Sequence, residues 1–104
     1  MIPKSERLTK QDFNGLRPKI IFRGTYVDVA VSKSEVTKFA CIVSKKRIKK
    51  ATDRNTAKRR VYSILRDVRP KNNFFVLLYP KQNAISGEFL KIKEEISQAF
   101  DTID

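Results

Sequence analysis

The chain has 104 residues, of which 23 are lysine or arginine and 11 are aspartate or glutamate, so its formal net charge at neutral pH is +12. Hydrophobic residues make up 40% of the chain, which suits one small domain over residues 1–104 and excludes a disordered basic tail. A single cysteine excludes a disulfide scaffold, the lack of histidine nearly excludes transition-metal sites and histidine-based catalysis, and no apolar stretch approaches a membrane span. These limits predict a small cytoplasmic protein.

The first predicted element is a helix near the N-terminus. Ser5 can cap it, and Gly15 and Pro18 favour its end at about Leu16. Its apolar residues are few, so we expect this helix to lie against the edge of a larger body.

Three strands are predicted next, over residues 19–24, 25–32 and 38–44. The second has the alternation of a half-buried strand, with Val27, Val29 and Val31 set against Tyr26, Asp28 and Ala30. The third, KFACIVS, is apolar on both faces, as central strands are. We expect these strands to form an antiparallel meander.

A second helix is predicted over residues 52–68. Thr52 or Asp53 is expected at its N-terminus, and Pro70 limits its C-terminal end. Its apolar residues recur at helical spacing and form a buried stripe of Ala57, Val61, Ile64, Leu65 and Val68.

The remaining residues predict a fourth strand over 74–79, apolar on both faces, and a third helix over 86–100 that Ser86 caps. The inward residues of this helix are expected to be Phe89, Leu90, Ile92 or Lys93, Ile96 and Phe100. The order of elements is therefore αβββαβα. It predicts an α+β two-layer sandwich in which three helices lie on a four-stranded sheet, with a strand–helix–strand crossover around the second helix.

Nearly all of the excess positive charge lies in one quarter of the chain. Residues 45–71 contain two acids and twelve bases, a net charge of +10 out of +12, and the bases are Lys45, Lys46, Arg47, Lys49, Lys50, Arg54, Lys58, Arg59, Arg60, Arg66, Arg69 and Lys71. Clustered positive charge binds nucleic acid by releasing condensed counterions. A solvated charged face and an acidic protein partner are the alternatives, but the density of charge and the arginine content favour nucleic acid.

One edge of the second helix combines guanidinium groups with an amide and a phenol. At 100° per residue this edge, beside the apolar stripe, carries Asn55, Arg59, Tyr62 and Arg66, while Arg54 and Lys58 flank the stripe and Arg60 points elsewhere. Such groups can grip phosphates and bind an exposed base. The alternative for Arg54 and Asn55 is that they cap and brace the start of the helix. Since a strand rather than a helix–turn–helix partner precedes this helix, we expect RNA rather than DNA.

Residues 43–60, VSKKRIKKATDRNTAKRR, resemble the signature of the bacterial ribonuclease P protein subunit. That family has an Arg-Asn-Arg-x-x-Lys-Arg helix after a Val-Ser-Lys-Lys strand end and an alanine, and the matching residues here are Val43, Ser44, Lys45, Lys46, Ala51, Arg54, Asn55, Lys58 and Arg59. The segment RLTKQDF at residues 7–13 is similar to the family's first helix. Two positions depart from the pattern: Thr56 replaces the second arginine of the triplet, and Tyr62 replaces a frequent further arginine. We expect Arg60 or Arg66 to supply the displaced charge.

The resemblance implies a protein that binds the catalytic RNA of ribonuclease P through this helix and the loop before it. The expected contacts are Lys45, Lys46, Arg47, Lys49, Lys50, Arg54, Asn55, Lys58, Arg59 and Arg66. A cleft between the first helix and the sheet would hold the 5′ leader of precursor tRNA, with Phe13 and Tyr26 as its candidate aromatics; for Phe13 the alternative is a core residue. The resemblance also implies a left-handed crossover, which is rare, and hydrolysis by the RNA with Mg²⁺ that the RNA holds.

The protein itself shows no catalytic or metal-binding pattern in its sequence. Of its eleven acidic residues only Glu94 and Glu95 are adjacent, and neighbours on a helix do not converge on one ligand. Cys41, between Ala40 and Ile42 in a predicted strand, is expected to be a buried inert thiol. The alternative function is a ribosomal or other structural RNA-binding protein without a catalytic complex, and the 43–60 signature favours the ribonuclease P subunit.

Overall fold

Four strands and two α-helices make up the fold in the computed structural model, which describes residues 4–13 and 16–103. Two short 3₁₀ turns accompany them, at Lys4–Glu6 and Gln82–Ala84. The strands and helices, in chain order, are β1 (Lys19–Arg23), β2 (Val27–Lys33), β3 (Lys38–Cys41), α1 (Ala51–Leu65), β4 (Phe74–Pro80) and α2 (Phe89–Ile103).

The sheet has the strand order β1-β2-β4-β3, so the predicted meander of the first three strands is wrong. β2 pairs antiparallel with both β1 and β4, whereas β3 pairs parallel with β4. β4 lies between β2 and β3. All seven of its residues pair with β2 on one side, and the four residues of β3 pair with it on the other. The predicted central strand over 38–44 is therefore a short edge strand. α1 connects the parallel strands β3 and β4, and the handedness of that crossover stays a prediction.

The predicted N-terminal helix capped by Ser5 is wrong in the part that the structure describes. Residues 4–6 form one 3₁₀ turn, and Arg7 then pairs with Phe39 as an isolated parallel bridge beside β3. The backbone N–H of Leu8 donates to the carbonyl oxygen of Phe39 at 2.8 Å. The open edge of β3 thus pairs with this segment, which satisfies backbone groups that would otherwise need water.

A helix-like turn begins four residues later than predicted, at Thr9. The Asp12 carboxylate accepts a hydrogen bond from the Thr9 backbone N–H at 2.8 Å, and the Asp12 N–H donates to the Thr9 hydroxyl at 3.3 Å. This reciprocal arrangement is a capping box, with Thr9 rather than Ser5 as the cap. The helix was expected to end at about Leu16, which lies in no helix, and Gly15 is outside the described residues. The predicted count of three helices is therefore not confirmed.

Both α-helices lie on one face of the sheet and share one apolar core, as the two-layer prediction expects. Side chains that alternate along the strands point toward the helices, and the buried set comprises Val27, Val29, Val31, Phe39, Cys41, Val76 and Leu78 from the strands with Val61, Ile64, Leu65, Ile92, Ile96, Ala99 and Phe100 from the helices. The Phe39 and Phe100 rings lie 6.5 Å apart between centroids. In the described part of the chain, no helix is long and apolar enough to cross a bilayer.

The helix interiors match the predicted apolar stripes better than the helix ends match the predicted caps. α1 buries Ala57, Val61, Ile64 and Leu65, but it begins at Ala51 with Lys50 as its N-cap and ends before Val68. α2 begins at Phe89 rather than Ser86 because the preceding residues form the 3₁₀ turn and a tight turn at Gly87. Phe89 and Leu90, the first two residues of α2, are exposed, Leu90 by 68%. The prediction that they face the core is therefore wrong.

Candidate nucleic-acid interface

The loop that leads into α1 presents its lysines to solvent around one buried anchor. Ile48 has no exposed surface, and its backbone N–H donates to the carbonyl oxygen of Ser44 at 3.1 Å. Because the middle of the loop is fixed in this way, its four lysines stay exposed on either side: Lys45, Lys46, Lys49 and Lys50. The N-terminal end of α1, with its positive dipole, follows directly and adds to the attraction for anions.

Arg54 ties the first turn of α1 to this loop. Its guanidinium donates to the carbonyl oxygens of Ile48 at 3.0 Å and Lys49 at 2.7 Å. Arg54 was expected either to contact RNA or to brace the start of the helix, and the structure shows the bracing contacts. Direct contact between Arg54 and RNA stays a prediction.

Arg47 holds the other side of the loop to the sheet through a buried carboxylate. Asp28 is 3% exposed, and its oxygens lie 3.0 Å from the Arg47 guanidinium and 3.3 Å from the Lys81 ammonium. Arg47 also donates to the carbonyl oxygen of Tyr79 at 3.1 Å. Burial raises the pKa of the Asp28 carboxyl, but the hydrogen bonds and charges of Arg47 and Lys81 outweigh it and hold the pKa below its ordinary value.

This buried acid also corrects the prediction for β2. The strand was expected to be half-buried, but residues 27–31 are buried on both faces. The alternation places Asp28 and Ala30 on the face opposite the helices. There the charges of Arg47 and Lys81 compensate for the burial of the Asp28 carboxylate. The valines of the same strand face the helices as predicted.

Side chains from α1 and the N-terminal segment line a groove of about 360 Å³: Arg7, Asn55, Lys58, Arg59 and Tyr62. The helical spacing placed Asn55, Arg59 and Tyr62 on one edge, as observed, whereas Lys58 was expected beside the apolar stripe with Arg54. The Tyr62 hydroxyl accepts a hydrogen bond from the backbone N–H of Cys41 at 3.1 Å, which fixes the ring against β3. Burial raises the pKa of Tyr62, so the phenol stays neutral at physiological pH.

Arg7 is the functional candidate that sequence reasoning missed. Its guanidinium carbon lies 5.2 Å from the centroid of the Tyr62 ring, within the range of a cation–π contact. The two residues are 55 positions apart, and they meet because the N-terminal segment pairs with the edge of β3. No local pattern indicates that pairing.

Arg66 was expected on this edge and Arg60 was expected to point elsewhere, and neither is among the described residues that line the groove. Arg60 donates to the carbonyl oxygens of Ile85 and Gly87, and its guanidinium carbon is 5.9 Å from the Phe89 ring centroid, so it braces the start of α2. Arg66 is exposed just beyond the end of α1 and is not among the described residues that line the groove. The charge above Tyr62 therefore comes from Arg7 rather than from Arg60 or Arg66.

The two aromatic residues predicted for a leader cleft have different surroundings. Phe13 is 39% exposed and follows Asp12, whose carboxylate pairs with Lys38 at 3.1 Å. Tyr26 packs against the apolar core on the helix side, so its predicted place on the face opposite the valines is wrong. A Cβ on Gly87 would lie 2.5 Å from the Tyr26 ring, which shows why glycine is needed there.

Glu95 of α2 explains why Tyr26 turns toward the helices. Its carboxylate accepts hydrogen bonds from three consecutive backbone N–H groups, those of Thr25, Tyr26 and Val27, the last two at 2.8 and 3.2 Å. The turn between β1 and β2 is thereby held against α2.

Cys41 has the surroundings of an inert thiol. It is buried, and burial raises its pKa to about 12, so the thiolate is scarce at physiological pH. Within residues 4–13 and 16–103, no three acidic or thiol side chains come together in a way that could hold a metal ion.

Comparisons with known proteins give a consistent result. The sequence model of the Ribonuclease P family matches residues 2–104. The RNase P protein from Thermotoga maritima has the same fold, with a TM-score of 0.79 and 24% identity over 95% of this chain and 98% of that one. A Staphylococcus aureus RNase P protein structure gives a TM-score of 0.73 and 16% identity over 97% of each chain. A search of curated protein sequences finds no match.

Proposed function

Because the chain belongs to the ribonuclease P protein family, we propose that it is the protein subunit of this cytoplasmic ribonucleoprotein endoribonuclease. In this role it binds the catalytic RNA and the 5′ leader of precursor tRNA. It assists removal of the leader, which gives mature tRNA 5′ ends. The family implies the ribonucleoprotein complex, and the surface of α1 supports the particular RNA-binding role.

The observation that carries the proposal is the set of exposed basic side chains on α1 and on the 45–50 loop before it. Four exposed lysines precede α1 in the chain, and on α1 itself Asn55, Lys58 and Arg59 line a groove beside a neutral phenol. Lysines supply charge to a phosphate backbone, and a guanidinium can donate two parallel hydrogen bonds to one phosphate. The amide and the phenol add groups that distinguish an exposed nucleotide from a bare polyanion.

In this proposal the RNA carries out the hydrolysis with Mg²⁺ that it holds itself. The protein contributes binding: it places positive charge between two polyanions and holds the leader. Phe13 is the more accessible of the two leader candidates, because Tyr26 is partly buried against Gly87 and the core. An exposed aromatic ring can stack on unpaired bases of a single-stranded leader.

Arg59→Ala is expected to weaken binding to ribonuclease P RNA by about 1–2 kcal/mol and to lower the slope of log K against log salt by about one ion. Arg59 is exposed and lines the groove, so the substitution removes charge without opening the core. Filter binding over a salt series measures both quantities. Lys91→Ala, an exposed lysine of α2, is the matched control and should change neither. Equal effects of the two variants would mean that the charge acts diffusely.

Thr56→Arg, which restores the residue usual in the family, is expected to tighten RNA binding or leave it unchanged. The Thr56 hydroxyl donates only to the carbonyl oxygen of Thr52 within the same helix, at 3.0 Å, so little is lost with it. An added guanidinium near phosphates contributes favourably at low salt. The same binding assay, with circular dichroism as a check on the fold, tests this. A clear loss of affinity in a folded variant would show that Thr56 itself contacts RNA.

A further inference from the structure

The N-terminal segment adds a residue to the α1 groove that the helix itself does not contain. Arg7 pairs with Phe39, and the N–H of Leu8 donates to the Phe39 carbonyl oxygen, so this segment extends the sheet beyond β3. The backbone of Arg7 is thereby fixed beside β3. The Tyr62 hydroxyl accepts a hydrogen bond from Cys41 of the same strand. Arg7 reaches the groove from a well-defined position.

An ion pair fixes the residue next to Arg7. The Glu6 carboxylate accepts hydrogen bonds from both terminal nitrogens of Arg69, one of them at 2.8 Å. The Arg69 guanidinium carbon in turn lies 5.8 Å from the ring centroid of Phe39, which is fully buried. The hydrogen bond from Arg69 lowers the pKa of Glu6, so the pair is ionised at physiological pH. Arg69 therefore holds the N-terminal segment to the body of the protein.

The position of the Arg7 guanidinium suits a contact with phosphate. It lies over the Tyr62 ring, and it lines the same groove as Asn55, Lys58 and Arg59. A guanidinium stacked on an aromatic ring directs its N–H groups outward in its own plane, which is the geometry in which guanidinium groups bind phosphate. Tyr62 itself is neutral, and the guanidinium over its ring is that of Arg7.

We propose that Arg7 contacts the RNA, and that it adds a positive charge over the Tyr62 ring to those of Lys58 and Arg59 on α1. Its ligand is a backbone phosphate of structured RNA, bound together with Arg59 and Lys58. Glu6, through Arg69, is a positioning residue for Arg7. This inference rests on the proposed function, since it requires that the α1 groove binds RNA.

The first test removes Arg7 and then restores a charge from the helix. Arg7→Ala is expected to weaken binding to ribonuclease P RNA about tenfold and to lower the log K against log salt slope by about one ion. Adding Tyr62→Arg to Arg7→Ala should recover most of the lost affinity, because the new guanidinium comes from the position that Arg7 covers. Thermal unfolding verifies that each variant is folded, and Lys91→Ala is again the control.

The second test separates positioning from total charge. Glu6→Ala removes a negative charge, so a purely diffuse electrostatic effect would tighten RNA binding. If Glu6 positions Arg7, the same variant should instead bind several-fold more weakly. Glu35→Ala, which removes an exposed acid in the turn before β3, is the matched control and should bind unchanged or slightly tighter.

The outcomes distinguish this inference from the proposed function. If Arg59→Ala weakens binding but Arg7→Ala changes neither affinity nor slope, α1 binds RNA without Arg7 and the inference is wrong. If Arg7→Ala weakens binding with an unchanged slope, Arg7 has a structural role only and the inference is also wrong. If Glu6→Ala binds more tightly, the positioning role of Glu6 is wrong. If neither arginine matters, the groove does not bind RNA and the proposed interface fails with it.

Discussion

Asp28→Asn is expected to lower the free energy of unfolding by about 2 kcal/mol at neutral pH. The carboxylate is 3% exposed and accepts hydrogen bonds from Arg47 and from the backbone N–H of Gly24, at 3.0 and 3.1 Å, and its second cation, Lys81, lies 3.3 Å away. Asparagine keeps the shape but offers one neutral acceptor in place of a charge. This loss of stability is well below that expected for a fully buried ion pair. Arg47 and Lys81 are 40% and 36% exposed, so water can solvate their charges once the carboxylate is gone.

The effect of this substitution should depend on pH in a defined direction. The pKa of Asp28 is lower in the folded protein than its ordinary value, which the unfolded chain retains. Its charge therefore stabilises the fold above the unfolded-state pKa of about 4, and that contribution is lost as the pH falls through the folded-state value. Urea unfolding at pH 7 and below pH 4 should show the difference between wild type and Asp28→Asn shrinking with acidity.

The control for this prediction is an acid in a looser ion pair. Asp67 is 57% exposed and lies 3.9 Å from the Lys93 ammonium, so Asp67→Asn should cost less than about 0.5 kcal/mol at any pH. A difference between wild type and Asp28→Asn that stays constant from pH 7 to pH 3 would contradict the assignment. It would mean that packing rather than charge makes Asp28 important.

The Asp28 pair links the stability of the sheet to the candidate interface. Arg47 was predicted as an RNA contact, yet two of its nitrogens bind Asp28 and the Tyr79 carbonyl oxygen. Arg54 likewise binds carbonyl oxygens of the 45–50 loop. These two arginines shape the surface that the exposed lysines present. Substituting them would change folding and RNA binding together, whereas Arg59 offers a cleaner measure of binding.

Local periodicity predicted the parts of the fold that depend on neighbours in sequence. Helical spacing identified the buried residues Ala57, Val61, Ile64 and Leu65 of α1, because i, i+3 and i+4 side chains share a face wherever the helix lies. The same spacing placed Asn55 and Arg59 together on its exposed edge.

Pairing between distant segments could not be predicted in this way. β4 is inserted between β2 and β3, since a strand buried on both faces is stabilised most at the centre of a sheet, but the sequence pattern of β3 looked equally central. The N-terminal segment pairs with β3 through backbone atoms, which leave no side-chain signal. Arg7 was missed for that reason, and Tyr26 was assigned to the wrong face because Glu95 binds the backbone of the β1–β2 turn from 68 to 70 residues away.

The largest expected effect concerns cleavage of precursor tRNA at low salt. RNA alone should be almost inactive there, and adding the protein should restore cleavage, because two polyanions repel each other most when salt is scarce. Residues 45–71 carry a net charge of +10, which the proposed complex would place between them. At 0.1 M salt the screening length is about 10 Å, and more salt shortens it. Raising monovalent salt and Mg²⁺ therefore weakens the repulsion, so RNA alone should recover part of the activity. The measurement compares ribonuclease P RNA alone, protein alone and both across a salt series.

The same series separates three functions by their different patterns. A protein subunit that acts through binding lowers the salt requirement of the RNA, and no single Asp or Glu to Ala variant of it abolishes cleavage. A structural RNA-binding protein outside this complex would leave the cleavage rate unchanged at every salt concentration. If the protein alone cleaved precursor tRNA and one carboxylate variant stopped it, the chain itself would be the nuclease. The expected dependence on salt follows from charge placed between two RNAs, and a carboxylate that activates water would not produce it.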